Sequence, residues 1–284
     1  MDFKKIFFSL LFIVLIFLLI FSLGIKNIST NHESKKLKQF INNISQTDDL
    51  LVNCSVPELD FLPDKFSAVV GHAYGSPVLD NGFIASNLEN FFVLYKERLA
   101  SIFFTGDVFH TPSLKKWNNL FDDLGKTMIY VAPGNHDVGL GRKTPERKIF
   151  NKNFGSTYQF SIINNNLFII LDTPFDTGRI SDDQLNFIKD LKKIDKIFYN
   201  IFVITHHVIW QNNVNKKLQS SAKSNFFDDG NFIELKTLVE NISYSDNIYF
   251  IAGDVSVTNK ATKLYCEKNG DIYYLLTGMG SRIY

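Results

Sequence analysis

From Phe61 onward the chain alternates short apolar runs of strand type with longer amphipathic segments, and this order constrains the fold more than any other feature. Such alternation builds a layered α/β domain, in which the carboxyl ends of strands distant in sequence gather along one edge. The expected strands are Phe66 to Val70, Ser101 to Thr105, Thr127 to Ala132, Tyr158 to Ile163, Leu167 to Leu171, Asn200 to Thr205, Asn247 to Ala252 and Ile272 to Thr277. Between them, Pro112 to Leu124 sets Leu114, Trp117, Leu120, Phe121 and Leu124 on one helical face. Ser181 and Gln184 read as a capping box for a helix that carries Leu185, Ile188 and Leu191. Asn164-Asn165-Asn166 between two strands is a hairpin turn signal. A four-layer αββα sandwich over residues 61–284 accommodates this order.

A length of 284 residues leaves room beside that domain for one small extra segment. The segment holds Ile6 to Ile25, an apolar run broken only by Ser9, Ser22 and Gly24 and preceded by Lys4 and Lys5. As a helix rising about 1.5 Å per residue it spans about 30 Å, the hydrocarbon thickness of a bilayer. The apolar region of a cleaved signal peptide is shorter, about 7 to 15 residues, although Ser22 and Gly24 suit a cleavage signature. The expectation is a single-pass transmembrane signal anchor at 6–25, behind a short tail at 1–5, with the domain outside the cytoplasm; Lys26, Lys35, Lys36 and Lys38 pull the orientation the other way. Residues 26–60 are polar and mixed, and read as a juxtamembrane linker. Two cysteines, Cys54 and Cys266, make no disulfide framework; an oxidising compartment would permit one bridge between the linker and the C-terminal region, but sequence alone does not bring the two together, and two free thiols is the simpler reading. With 30 basic and 29 acidic residues the formal charge is +1, so no global field recruits nucleic acid.

Polar groups with metal-binding chemistry recur just after the strands. The segments are Gly71-His72-Ala73-Tyr74-Gly75, Gly106-Asp107-Val108, Gly134-Asn135-His136-Asp137, His206-His207 and Gly253-Asp254-Val255-Ser256. Glycine beside the polar residue lets the backbone turn sharply and approach a ligand. A Gly-Asp pair alone is a common turn, and His206-His207 alone reads as a core histidine beside a surface one. Gly134-Asn135-His136-Asp137 is more specific, because a turn has no need of an imidazole between an amide and a carboxylate.

Taken in order, these segments resemble the motifs of the calcineurin-like metallophosphoesterases: Asp-x-His, Gly-Asp, Gly-Asn-His-Asp or Glu, His, then Gly-His-x-His. The resemblance runs from about Phe66 to Ile283 and includes Leu171-Asp172-Thr173 with Gly178, Ile180, Ser181 and Gln184. It implies a metal-dependent phosphoesterase that hydrolyses a phosphate monoester or diester with a metal-activated hydroxide at two divalent ions, of Mn, Fe or Zn. Asp107 matches the bridging carboxylate, Asn135 and His206 ligands of the second ion, and His136 the general acid, with Asp137 expected to fix the tautomer of His136. Two motifs depart: His72-Ala73-Tyr74 stands for Asp-x-His, and Gly253-Asp254-Val255-Ser256 for Gly-His-x-His. A carboxylate lost at the first is regained at the last, so with His72 and Asp254 as ligands the set keeps a charge of two negative. The alternative is a catalytically inactive, membrane-tethered module that binds a phosphorylated ligand. A membrane anchor points to a phosphorylated lipid, glycan or small molecule as the substrate.

Overall fold

The computed structural model describes residues 11–13, 16–19, 50–52, 54, 62–74, 83–176, 178–211, 229–254 and 264–278. In chain order the first elements are β1 (Leu11–Ile13), β2 (Ile16–Leu19), β3 (Leu50–Val52), β4 (Phe66–Val70), α1 (Ser86–Tyr95), β5 (Leu99–Phe104), α2 (Leu114–Leu124), β6 (Met128–Val131), α3 (Asn135–Val138) and α4 (Pro145–Phe154). There follow β7 (Gln159–Ile163), β8 (Asn166–Ile170), α5 (Asp182–Leu191), β9 (Asn200–Ile204), α6 (Asp229–Glu240), β10 (Asn247–Ala252), β11 (Leu264–Asn269) and β12 (Ile272–Thr277).

Strands buried on both faces need a layer on each side, and the chain supplies it. One sheet has the order β1-β2-β4-β5-β6, the other β3-β11-β12-β10-β9-β8-β7. The central strands β4, β5 and β6 run parallel, as do β8, β9, β10 and β12. α1 lays Phe91 and Tyr95 against Phe66 and Phe92 against Phe104, covering the outside of the first sheet. α5 and α6 cover the outside of the second, with Leu185, Ile188, Phe232 and Leu235 packed on Leu167, Ile201 and Phe250. The result is a sandwich of two sheets between helices.

Stacked rings run through the space between the sheets. Within the first sheet Tyr130 lies 4.7 Å from Phe103, and Phe103 stacks across to Phe168 of the second sheet at 4.4 Å. From there the row continues strand by strand through Phe202, Tyr249 and Tyr273 at 4.8, 4.7 and 4.6 Å. These are register partners, so each pairing of neighbouring strands places ring on ring.

Local signals set the edges of these elements. Asn164 and Asn165 both take positive φ, 49° and 61°, as a two-residue hairpin turn requires. Ser181 caps α5 by accepting the Gln184 N–H. The expected capping box is only half formed, because the Gln184 amide oxygen accepts from the Asp172 N–H, while its nitrogen donates to the Asp172 carbonyl and to Ser181 Oγ.

The N-terminal expectations differ from the structure. Where Ile6 to Ile25 is described, it forms β1 and β2, and β2 pairs antiparallel with β4. An unbroken apolar run satisfies a buried strand as well as a helix, and periodicity does not separate the two. Among the described residues, no helix is long and apolar enough to cross a membrane. The stretch read as linker also contributes to the domain: β3 pairs parallel with β11, and Cys54 is bonded to Cys266. The thiols are therefore not free. The pairing depends on an edge strand only three residues long, which carries Cys54 across 212 positions of sequence to its partner.

A bridge closing so long a loop restricts the unfolded chain, an effect typically worth about 2–4 kcal/mol. Replacing both Cys54 and Cys266 by Ser is expected to lower the thermal midpoint by several degrees with no loss of secondary structure. A melting curve superimposed on that of the wild type would remove the bridge from the account of stability.

Candidate metal centre

Every chemistry-bearing segment leaves the carboxyl end of a strand: His72 after β4, Asp107 after β5, Asn135 after β6, His206 after β9 and Asp254 after β10. Two of these residues have backbones in the left-handed region, His72 at φ 51° and Asp107 at φ 53°. Each such residue costs on the order of 1 kcal/mol and persists only where its surroundings hold it. Here the His72 N–H donates to the Gly106 carbonyl and the Tyr74 N–H to the Asp107 carbonyl, fastening the first two loops together. Close approach explains the neighbouring glycines. A methyl group on Gly253 would sit 1.7 Å from Thr105 Oγ1, and one on Gly106, itself at φ 86°, would sit 2.5 Å from His206 Nδ1.

The five expected ligand residues converge. Asp107 is 2% exposed, and its two oxygens face different partners: Oδ1 lies 3.5 Å from His206 Nε2, and Oδ2 lies 3.6 Å from His72 Nε2. His206 Nε2 is also 3.2 Å from Asn135 Oδ1 and 4.0 Å from Asp254 Oδ1. The other ring nitrogen of His206, Nδ1, donates to the Thr105 carbonyl at 2.9 Å, which turns Nε2 into the site.

The electrostatics of this cluster call for a cation. Burial pushes His206 down, yet the carboxylates of Asp107 and Asp254 and the Thr105 carbonyl outweigh it, so its pKa is raised above the usual imidazole value. Burial pushes Asp107 up, but His206, His72 and His136 together hold it below the usual carboxylate range. A divalent ion meets the same demand. Donors bound to one ion at about 2.0–2.2 Å lie about 3.0–3.5 Å apart when adjacent. The spacings of His206, Asn135 and Asp107 fit that geometry, and an oxygen–imidazole set without thiolate suits Mn, Fe or Zn. On the other side of Asp107 stand His72 and Tyr74, with ring centroids 4.4 Å apart. Burial, then the charges of Asp107 and Asp254, hold the Tyr74 phenol above its ordinary range. His72 is thus the better donor on this side. Ser256 lies outside the described residues.

His136 and Asp137 part company. The His136 ring Nδ1 donates to the His110 carbonyl at 2.8 Å, and its backbone N–H donates to Asp107 Oδ1. Asp137, fully buried, accepts N–H bonds from Asp107, Val108 and Gly134. It therefore ties the Asn135 loop to the Asp107 loop and does not orient the His136 ring, as the sequence had suggested; a backbone carbonyl does that instead. Burial and the nearby Asp107 push Asp137 up to about 7, against the pull of the Gly134 and Val108 N–H groups.

Behind the site is a network that sequence patterns did not reveal. Arg147 of α4 forms a two-pronged pair with the fully buried Asp172, which is also gripped through its backbone by Gln184. The next residue, Thr173, places Oγ1 2.7 Å from His207 Nδ1 and accepts the His207 N–H. His207 is buried, and burial and then the adjacent His206 push it down to about 3, so it is a neutral imidazole. No spacing rule links Arg147 to Asp172. The Leu171-Asp172-Thr173 stretch was the one signal available for this network.

The sequence profile described as "Calcineurin-like phosphoesterase" matches residues 80–227, just over half of the chain. The chain belongs to the calcineurin-like phosphoesterase family. Its fold is similar to that of the purple acid phosphatase PPD1 isolated from yellow lupin (Lupinus luteus) seeds, with a TM-score of 0.50 and 14% sequence identity over 76% of this chain. At that identity the likeness is one of fold, and the chain spans 44% of the lupin protein's length. No curated protein matches the sequence. Members of this phosphoesterase family are phosphate-ester hydrolases with a metal centre, and the donor set around Asp107 offers the oxygen and imidazole groups that such a centre needs.

The division between His136 and Asp137 can be measured. Asp137→Ala leaves three buried N–H groups without their acceptor and is expected to destabilise the fold by about 3 kcal/mol or more, read as a shift in denaturant midpoint. His136→Ala is expected to change it by less than about 1 kcal/mol. Equal and small shifts in both variants would place Asp137 outside the loop scaffold.

Proposed function

We propose that this chain is a metal-dependent phosphoesterase that cleaves a phosphate mono- or diester at the Asp107 centre. One observation carries the reading: Asp107, Asn135 and His206 converge with ligand spacings, while Thr105 fixes the tautomer of His206. Asp107 stands between two ligand groups, one oxygen toward His206 and the other toward His72. His206, Asn135 and Asp254 hold the first group, and His72 belongs to the second. With Asp107 and Asp254 ionised the set carries two negative charges, suited to dications in a buried cleft. When bound, divalent ions polarise the phosphoryl oxygens and lower the pKa of a bound water from about 15.7 toward 7.

His136 supplies the acid. With Nδ1–H tied to the His110 carbonyl, the proton that can be transferred is on Nε2 of the imidazolium, and it passes to the departing oxygen as the P–O bond breaks. The His110 carbonyl steadies the cation before transfer and holds the ring plane after it.

The reading extends to location. Cys54–Cys266 supports a domain that works in an oxidising compartment. The length and apolarity of Ile6 to Ile25 support attachment to a membrane in a state in which this run leaves its pairing with β4. Such a placement favours a phosphoester of lipid or glycan type as substrate. Full-length chain is expected to stay in the membrane pellet after carbonate washing, and release by the wash would overturn the attachment.

Asp107→Ala is expected to abolish both retained metal and hydrolysis across a panel of phosphomonoesters and phosphodiesters. His136→Ala should keep the metal and lose about 100- to 10,000-fold in turnover. The rival module that binds a phosphorylated ligand without cleaving it predicts no metal-dependent hydrolysis in the wild type, and binding unaffected by Asp107→Ala.

A further inference from the structure

Tyr74 stands beside the Asp107 cluster, and the proposed reaction gives it no task. β4 ends at Val70; His72 then takes its left-handed backbone, and the Tyr74 N–H donates to the Asp107 carbonyl at 3.4 Å. The ring is held by three imidazoles. Its centroid lies 4.4 Å from that of His72, 5.5 Å from His110 and 5.4 Å from His136, and the His110 and His136 rings pack on each other at 4.8 Å. The phenol therefore lies between His72, which flanks one oxygen of Asp107, and His136, the proposed acid.

We propose that the Tyr74 hydroxyl donates a hydrogen bond to a non-bridging oxygen of the bound phosphoryl group, which adds Tyr74 to the catalytic residues. This rests on the phosphoesterase reading and extends it to a side chain that grips the phosphoryl oxygens directly.

Three features of the molecule support it. The first is where the phenol oxygen sits. Burial acts on it most, and the charges of Asp107 and then Asp254 act on it next. These two carboxylates leave different strand ends, so electrostatic reach to both sets the hydroxyl toward the cluster. The second is its surroundings. Tyr74 is 4% exposed, yet among the described residues its hydroxyl has no hydrogen-bond partner and is not sealed from solvent. The third is the chemistry of the group itself. A phenylalanine ring would fill the space among the three imidazoles equally well, whereas a hydroxyl partly stripped of water there costs free energy until an acceptor reaches it. A phosphoryl oxygen is such an acceptor. A phenol keeps its proton at neutral pH and so donates. In phosphoryl transfer the negative charge is spread over the non-bridging oxygens, and a donor already fixed in place stabilises that charge without reorganising. Clamped on three sides, the Tyr74 ring meets that condition.

The test uses the purified full chain, loaded with Mn2+ and titrated with inorganic phosphate in a calorimeter. Tyr74→Phe keeps the ring; it is expected to retain the metal content and circular dichroism of the wild type, to bind phosphate about 10- to 100-fold more weakly and to lose turnover by a similar factor. A Tyr74→Phe protein with wild-type phosphate affinity and turnover overturns the inference and leaves the phosphoesterase reading standing. Loss of the metal from that variant overturns it as well, since Tyr74 would then be a ligand and not a donor to the substrate. A wild-type chain that neither binds phosphate nor cleaves any ester overturns the phosphoesterase reading and the inference with it. Should Tyr74→Phe fail to fold, the full chain carrying 3-fluorotyrosine at position 74 decides: its 19F resonance is expected to shift as phosphate is added, and a resonance that stays in place overturns the assignment.

Discussion

The carboxylate of Asp107 is the constraint on which the rest of the site depends. Removing an ionised carboxylate from water costs several kcal/mol unless partners surround it. Asp107 is nearly enclosed, and the surroundings that make this tolerable come from separate strand ends: His206 on one oxygen, His72 on the other and the His136 N–H from a third loop. Its own backbone N–H is held by Asp137, so the residue is gripped at both ends. The left-handed backbone at Asp107 is a conformational cost accepted to aim that side chain between two partners. The glycines beside it follow from the same crowding, since Thr105 serves the β9 and β10 turns and leaves no room for a side chain at Gly253.

Much of this was legible in the sequence because burial writes itself into strand runs. Phe66 to Val70, Asn247 to Ala252 and Ile272 to Thr277 were bounded to the residue, and the remaining expected strands lie within a residue or two of their observed limits. The ligand candidates were legible for a related reason. A polar residue with a glycine at the end of a buried strand has few structural motives, and several in order have fewer. What escaped was whatever depends on tertiary pairing. β3 is too short to carry a pattern, and its partner β11 mixes Tyr265 and Cys266 with Glu267, Lys268 and Asn269. The disulfide follows from that pairing and was hidden with it. Asp137 was misjudged because adjacency to His136 suggested contact, whereas the tight α3 turn sends the carboxylate inward to backbone donors. The apolar run at Ile6 to Ile25 is uniform enough to suit lipid, a helix or a strand alike.

The changed motifs alter the character of the centre more than its charge. A carboxylate at position 254 places an oxygen group 4.0 Å from His206 on one side of Asp107, while His72 places a nitrogen 3.6 Å from its other oxygen. Tyr74 stands between His72 and the His110–His136 pair, with centroids 5.5 Å from His110 and 5.4 Å from His136. It forms an aromatic wall on the His136 side of the cluster.

The row of rings between the sheets has a mechanical consequence. Sliding of packed layers is one of the common ways in which domains change shape. Here a slip of either sheet would unstack Phe103 from Phe168, and a slip of any inner strand would break a contact on each side of its ring. Aromatic pairs are each worth about 0.5–1.5 kcal/mol beyond their buried area, and a chain of them resists such displacement cooperatively. Shear between the layers is therefore closed to this domain as a route of motion. Movement confined to segments beyond the strand ends would leave this stacked interior in register.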